Sequence, residues 1–205
     1  MRQVLVVRTD KLPAIIGNLQ GFVPLSDPAI IDRLAREAHM IEKEQAEKNT
    51  DFKQLIPYTV ILNPDKRVYT YQRSIKEKDY EEKRLRGKVS LGVGGHIEND
   101  ESIPDNIRRE LQEEVKGVDR DLMIQKEKLE LFGIINDDSD SVGQVHLGIV
   151  FILHTGCKVI RSRSGEALWG MFLDAGDVGI IIQKEPFENW SRLIFSHLLE
   201  FLSAS

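Results

Sequence analysis

The stretch of this chain best suited to chemistry is Gly95-His96-Ile97-Glu98-Asn99-Asp100-Glu101, followed by Arg109-Glu110-Leu111-Gln112-Glu113-Glu114. The spacing predicts a helix over residues 103–116, with Ile103, Ile107, Leu111 and Val115 as an i, i+4 apolar stripe. At ~100° per residue, Glu110, Glu113 and Glu114 fall within an arc of ~100°. Like charges so placed repel by roughly 0.2–0.5 kcal/mol per pair. They also sit toward the helix C-terminus, where the macrodipole disfavours an anion by about 0.3–1 kcal/mol. A divalent cation would offset both effects, and oxygen-only ligands select a hard ion, Mg²⁺ or Mn²⁺. A solvated acidic face is the plain alternative for a bare pair of glutamates. Against it, the acidic strip lies only ~90° round from the centre of the apolar stripe, at the edge of the buried face. Gly94-Gly95 is a turn in its simplest reading; in a functional one, its backbone approaches a metal or a phosphate.

Together these residues resemble the Nudix box, Gx5Ex7REUxEExGU, where U is a bulky aliphatic residue. Gly95, Glu101, Arg109, Glu110, Leu111, Glu113 and Glu114 fall in place. A chance match at those positions is roughly one in 10⁵ for this composition. One position departs: Lys116 stands where the family has its terminal glycine, and Gly117 follows one place later, so a helix end shifted by about one residue is expected. The resemblance runs from about residue 56 to 178 and leaves residues 1–55 outside it.

The resemblance implies an α/β (α+β type) Nudix fold, a mixed β-sheet sandwiched between helices, to which residues 1–55 add an N-terminal strand-helix extension read from their own pattern. It also implies a pyrophosphohydrolase dependent on Mg²⁺ or Mn²⁺, acting on a nucleoside diphosphate linked to another moiety. By that likeness Glu110, Glu113 and Glu114 bind metal, with the Gly95 carbonyl as a further ligand. One of these glutamates, or an acid from a later loop, orients or deprotonates water. Glu101 and Arg109 pair with each other or with a catalytic glutamate. Such residues suit the chemistry, because a metal neutralises phosphate oxygens and acidifies water, and a carboxylate takes the proton. A silent nucleotide sensor of the same fold is the main alternative. An isopentenyl-diphosphate-type isomerase needs a catalytic Cys upstream of the box, whereas the single Cys is Cys157.

Weaker candidates surround this core. Arg73 ends the strand YTYQR and is the substrate-binding candidate, a phosphate contact weighed against a solvated strand end. Lys83, Arg84, Arg86 and Lys88 read as a charged loop that can steer an anion. Asp137 and Asp138 read first as a turn and second as an extra catalytic acid. Glu166 precedes Trp169 and is a minor candidate for the metal site. His96 reads as loop packing, and His39, His146, His154 and His197 show no ligand spacing.

The elements that must hold these residues are legible in outline. Residues 1–9 read as a strand and 10–26 as irregular loop. A helix starts at Ser26-Asp27-Pro28 and continues to about residue 48 on its apolar spacing. IPYTVIL and RVYTYQR flank Asn63-Pro64-Asp65-Lys66, a hairpin signal. LELFGIIN, QVHLGIVFIL and ALWGMFLD read as strands, AGDV as a short turn or helix, and FENWSRLIFSHLLEFL as a C-terminal helix. The division expected is an N-terminal extension, residues 1–55, packed on a Nudix domain, residues 56–205.

With 205 residues, 41% of them hydrophobic and 30% charged, the chain can bury a sizeable core. One cysteine excludes an internal disulfide framework. A net charge of −5 argues against a nucleic-acid polymer as partner and leaves a small anionic phosphorylated substrate. No apolar run approaches the ~20 residues of a membrane helix, so a cytoplasmic protein without a membrane partner is expected. The apolar face of the N-terminal helix packs on the sheet or makes a homodimer.

Overall fold

The computed structural model describes residues 2–75, 83–116, 129–162 and 167–204. In chain order the elements are β1 Gln3–Arg8, α1 Leu12–Ile16, β2 Gly21–Pro24, α2 Ala29–Glu37, β3 His39–Glu42, α3 Lys43–Ala46, β4 Phe52–Leu62, β5 Val68–Arg73, β6 Val89–Ser90 and β7 Gly92–Gly94. Then follow α4 Ile103–Glu114, β8 Val115–Lys116, β9 Leu129–Asn136, β10 His146–His154, β11 Arg161–Ser162, β12 Ala167–Leu173, α5 Ala175–Lys184 and α6 Asn189–Ala204. The architecture is mixed α/β, strands of a mixed sheet accompanied by helices. The chain divides into two compact units, Met1–Tyr58 with Gly94–Ile107 and Leu131–Phe151, and Thr59–Val93 with Arg108–Glu130 and Ile152–Ser205.

In the first unit β1 pairs antiparallel with β3 and with the start of β4. Val4, Val6 and Ala46 are wholly buried there, with Ile41 and Phe52 packed against them. β2 pairs antiparallel with β9, from Gly21 opposite Asn136 to Pro24 opposite Gly133. Two expectations fail here. The helix expected to continue to residue 48 stops at Glu37, where Ala38 turns extended with ψ 147°. His39–Glu42 instead supplies the backbone partners of β1; four residues with only Met40 and Ile41 apolar fit either period, and strand pairing decides. Residues 10–26 are not irregular, because Pro13 lies in the first turn of α1, a favourable place for proline, and Gly17 closes that helix at φ 64°.

Gly94 illustrates how close the backbone runs ahead of the box. A Cβ there would lie 2.3 Å from the Pro57 carbonyl oxygen and 3.1 Å from the Tyr58 Cα. Both obstacles are main chain, so Gly94→Ala must move a strand. The expected cost is about 1–3 kcal/mol, read as a lowered denaturant midpoint; an unchanged midpoint would show that the turn is slack.

In the second unit β5 lies between β4 and β12, and also pairs with β6. The β4–β5 turn is the expected one. Asn63 Oδ1 accepts from the amides of Asp65 and Arg67, at 3.0 and 2.8 Å, and Lys66 takes φ 58°. α6 is stitched to β6 and the residue after it: Glu188 N donates to the Val89 carbonyl at 3.0 Å, and Leu91 N to Ser191 Oγ at 3.0 Å. AGDV opens a ten-residue helix rather than a short turn, capped by Asp174 accepting from Asp177 N. Among the described residues no helix is long and apolar enough to cross a membrane.

Candidate active site

α4 follows its stripe: Ile107, Leu111 and Val115 are buried. It ends at Glu114, two residues before the expected end, because Val115 and Lys116 pair with Ser162 and Arg161 as β8 and β11. Lys116, at the family's glycine position, therefore stands in an extended backbone; Gly117 lies outside the described residues.

The three helix carboxylates meet different surroundings within the second unit. The Glu110 side chain is 10% exposed, that of Glu114 14% and that of Glu113 58%, so the strip runs from the protein interior to solvent. Arg109 Nη1 donates to Glu110 Oε1 at 2.7 Å and more weakly to Glu113 Oε2 at 3.4 Å. Arg109 thus engages catalytic-candidate glutamates directly. The Tyr71 hydroxyl lies 3.1 Å from both Glu114 Oε2 and the Gly92 carbonyl. Having one proton, it donates to one of them at a time. Burial pushes the neighbouring Tyr69 hydroxyl up to about 12; the Ser162 hydrogen bond opposes this and the Glu114 charge adds to it. Oxygen-only donors on one helix face, reaching from buried to open, fit a hard divalent cation.

Arg73 is not a solvated strand end. Its guanidinium is buried, with Nε hydrogen-bonded to Glu188 Oε1, Nη1 4.0 Å from Glu114 Oε1, and the Tyr71 ring 5.3 Å away. Glu188 is itself buried, and its Oε2 lies 2.7 Å from Ser90 Oγ. Sequence reading missed Glu188, since nothing in KEPFEN separates it from surface charge. Glu166 and residues 76–82 of the charged loop lie outside the described residues.

In the first unit the loop leading into α4 is braced by Glu101 and Asn106. Glu101 Oε1 accepts from Glu98 N at 3.0 Å and from Asn106 Nδ2 at 2.9 Å, and Asn106 also donates to the His96 carbonyl at 2.6 Å. Asn99 and Asp100 turn through φ 49° and 61° beneath these bonds. Asn106, fully buried, is a second residue that sequence reading did not single out. The Gly95 carbonyl follows directly on Gly94, whose place against Pro57 is fixed by the close approach described above.

Asp137 and Asp138 are engaged locally. Asp137 Oδ1 accepts from Ser139 N at 3.1 Å, an Asx turn. Asp138 pairs with the buried Lys53 ammonium and with Gln20. Partial burial raises the Asp138 carboxyl pKa, but hydrogen bonds from Lys53 and Gln20 outweigh it and hold the group below its usual value of 3.8. A depressed folded-state pKa stabilises the fold fully above the unfolded pKa, and that contribution is lost as pH falls through the folded value. The Asp138 side chain is 45% exposed and its charge is screened by solvent, so Asp138→Asn should destabilise at neutral pH by only about 0.5–1 kcal/mol, and the gap to wild type should narrow as pH falls below about 4. A gap that persists to pH 2 would refute the pair's contribution.

Also in the first unit, Glu47, His96 and His146 bring one carboxylate oxygen and two imidazole nitrogens within 4.8 Å of one another. His96 does more than pack a loop, and His146 gains as neighbours residues 99 and 50 positions away in the chain.

This fold and this carboxylate helix define a Nudix-type domain. The NUDIX domain model matches residues 54–159, and the chain belongs to that family. Protein YmaB of Bacillus subtilis (strain 168) is 34% identical over 163 residues, which is 75% of this chain and 75% of YmaB. The crystal structure of Tm1382, a proposed Nudix hydrolase, superposes with a TM-score of 0.76 at 24% identity, covering 97% of this chain and 99% of that one. A bifunctional NMN adenylyltransferase/ADP ribose pyrophosphatase from Francisella tularensis, complexed with AMP and a Mn ion, gives a TM-score of 0.55 at 18% identity over 73% of this chain and 42% of that one. Family and fold together support a hydrolase of the Nudix type, a class that generally uses divalent metals.

Proposed function

We propose that this chain is a cytoplasmic pyrophosphohydrolase that cleaves the phosphoanhydride bond of a nucleoside diphosphate linked to another moiety, using Mg²⁺ or Mn²⁺. The observation that carries the proposal is the run Glu110, Glu113 and Glu114 on the last turns of α4, graded from buried to open, in box spacing. Glu110, Glu113 and Glu114 would hold the ion, with the Gly95 carbonyl as a further ligand. When bound, the ion neutralises phosphate oxygens and acidifies water. Arg109 orients Glu110 and Glu113 through its planar fork. Glu101 braces the entering loop. A glutamate not fully committed to the ion takes the proton from the attacking water. Arg73 acts on Glu114 from its buried place rather than reaching freely for substrate.

The test is turnover of a panel of nucleoside diphosphate derivatives, ADP-ribose among them, with Mg²⁺ and Mn²⁺ in turn and products identified by mass. Metal-dependent release of two phosphorylated fragments is expected. Binding of a nucleotide without turnover under either ion would instead support a silent sensor.

Residues 1–55 are proposed to fold with the rest of the chain rather than as a detachable module. β2 pairs with β9, Leu5 N donates to the Ile97 carbonyl at 3.0 Å, and Val4 and Val6 are fully buried. Some 50 residues alone would bury too little surface for stability. Limited proteolysis should release no stable fragment beginning near residue 56.

A further inference from the structure

We propose that Glu47, His96 and His146 form a second metal centre, separate from the box carboxylates and selective for a first-row transition ion of the zinc type. His96 Nε2 lies 3.2 Å from His146 Nε2, and Glu47 Oε1 lies 3.6 Å from the first nitrogen and 4.0 Å from the second. Tetrahedral ligands at the ~2.0–2.1 Å bond lengths of zinc stand about 3.4 Å apart. The three atoms are already near that spacing and need to move by only tenths of an ångström.

The tautomer is also set for an ion. His146 Nδ1 lies 2.7 Å from the Val142 carbonyl, and a carbonyl only accepts, so Nδ1 carries the proton. The Nε2 lone pair of a neutral His146 thereby faces His96, Glu47 and the Gln54 amide, whose Nε2 lies 3.2 Å away and would give way to a bound ion. A backbone carbonyl fixing the far nitrogen is the usual support of a metal-bound histidine. His146 is buried, while the His96 and Glu47 side chains are 17% and 26% exposed, so the pocket is anchored within and reached from solvent. Two imidazoles and one carboxylate suit zinc, cobalt or nickel better than magnesium.

The three ligands come from separate stretches of the first unit. Glu47 follows α3, His96 lies two residues after Gly94, and His146 opens β10. A bound ion would tie the glycine turn ahead of the box to the N-terminal segment. The competing account is a plain hydrogen bond to His146 Nε2 from His96 Nε2–H or Gln54 Nε2–H, with no ion.

The experiment uses tag-free, full-length protein stripped with a chelator, dialysed and titrated with Co²⁺, then with Zn²⁺ as competitor. The expected result is one Co²⁺ per chain with the visible ligand-field bands of a four-coordinate site, displaced by Zn²⁺, and a melting temperature raised by Zn²⁺. Glu47→Gln and His96→Gln, at half-buried positions, should each weaken Co²⁺ binding by about 100-fold or more. Glu113→Gln and Glu114→Gln should leave the bands intact. A wild type without bands and without a Zn²⁺-dependent melting shift would overturn the proposal in favour of the hydrogen bond. Bands lost in Glu114→Gln and retained in Glu47→Gln would overturn it by assigning the ion to the box. Neither result would depend on whether the chain hydrolyses a nucleotide.

Discussion

Glu114→Gln should lower turnover by about 10²-fold or more and weaken binding of the Mg²⁺ or Mn²⁺ that supports it. The substitution keeps the volume of the side chain and a carbonyl oxygen, so the Tyr71 hydroxyl 3.1 Å away still has an acceptor. What is lost is one negative charge on the strip shared with Glu110 and Glu113. The side chain is 14% exposed and Arg73 Nη1 stands 4.0 Å away, beyond hydrogen-bond distance, so this isosteric change should alter folding by less than about 1 kcal/mol. The melting temperature is therefore the control and the activity with each ion the readout. Full activity with an unaltered metal requirement would remove the box carboxylates from the mechanism. A large fall in melting temperature would instead mean that Glu114 serves chiefly to satisfy Tyr71 and Arg73.

What could be read from the sequence was whatever repeats at short range. Ile107 and Leu111 announce the buried face of α4 because the helical period brings them together, and the box glutamates follow from the same period. The Asn63 turn is legible because Asn63 bonds to near neighbours, Asp65, Lys66 and Arg67. Helix α2 was overextended for a related reason. Ile41 continues its spacing, but the open edge of β1 claims residues 39–42 through partners 33 to 39 positions away. Proline and glycine in residues 10–26 looked like breakers, although Pro13 starts a helix and Gly17 ends one. Glu188, Asn106 and the Glu47–His96–His146 group were invisible because their partners are set by tertiary packing. Arg73 and Glu188 are 115 residues apart, and no periodicity spans that distance.

Glu188→Ala should be among the most destabilising single changes in the second unit, at about 3–5 kcal/mol. The Arg73 guanidinium is 7% exposed and the Glu188 carboxylate 4%, so removing the acid leaves a buried cation, while the Ser90 hydroxyl keeps the Gly92 carbonyl, 2.8 Å away, as its acceptor. Chemical denaturation measures this directly. Arg73→Ala combined with Glu188→Ala should cost clearly less than the sum of the single changes, since the two share one contact. The milder Glu188→Gln reports on function. It keeps an acceptor for Arg73 but weakens the hold, and the Glu114 carboxylate lies within reach, at 4.0 Å. A guanidinium drawn toward Glu114 competes with the cation that the α4 strip is proposed to bind. The ion concentration for half-maximal activity should therefore rise several-fold in Glu188→Gln, with a smaller change in turnover at saturating ion. A role confined to stability would lower the melting temperature and leave that ion requirement where it was. Strict additivity in the double variant, together with an unmoved ion requirement, would show that Glu188 neither holds Arg73 nor influences the carboxylate strip through it.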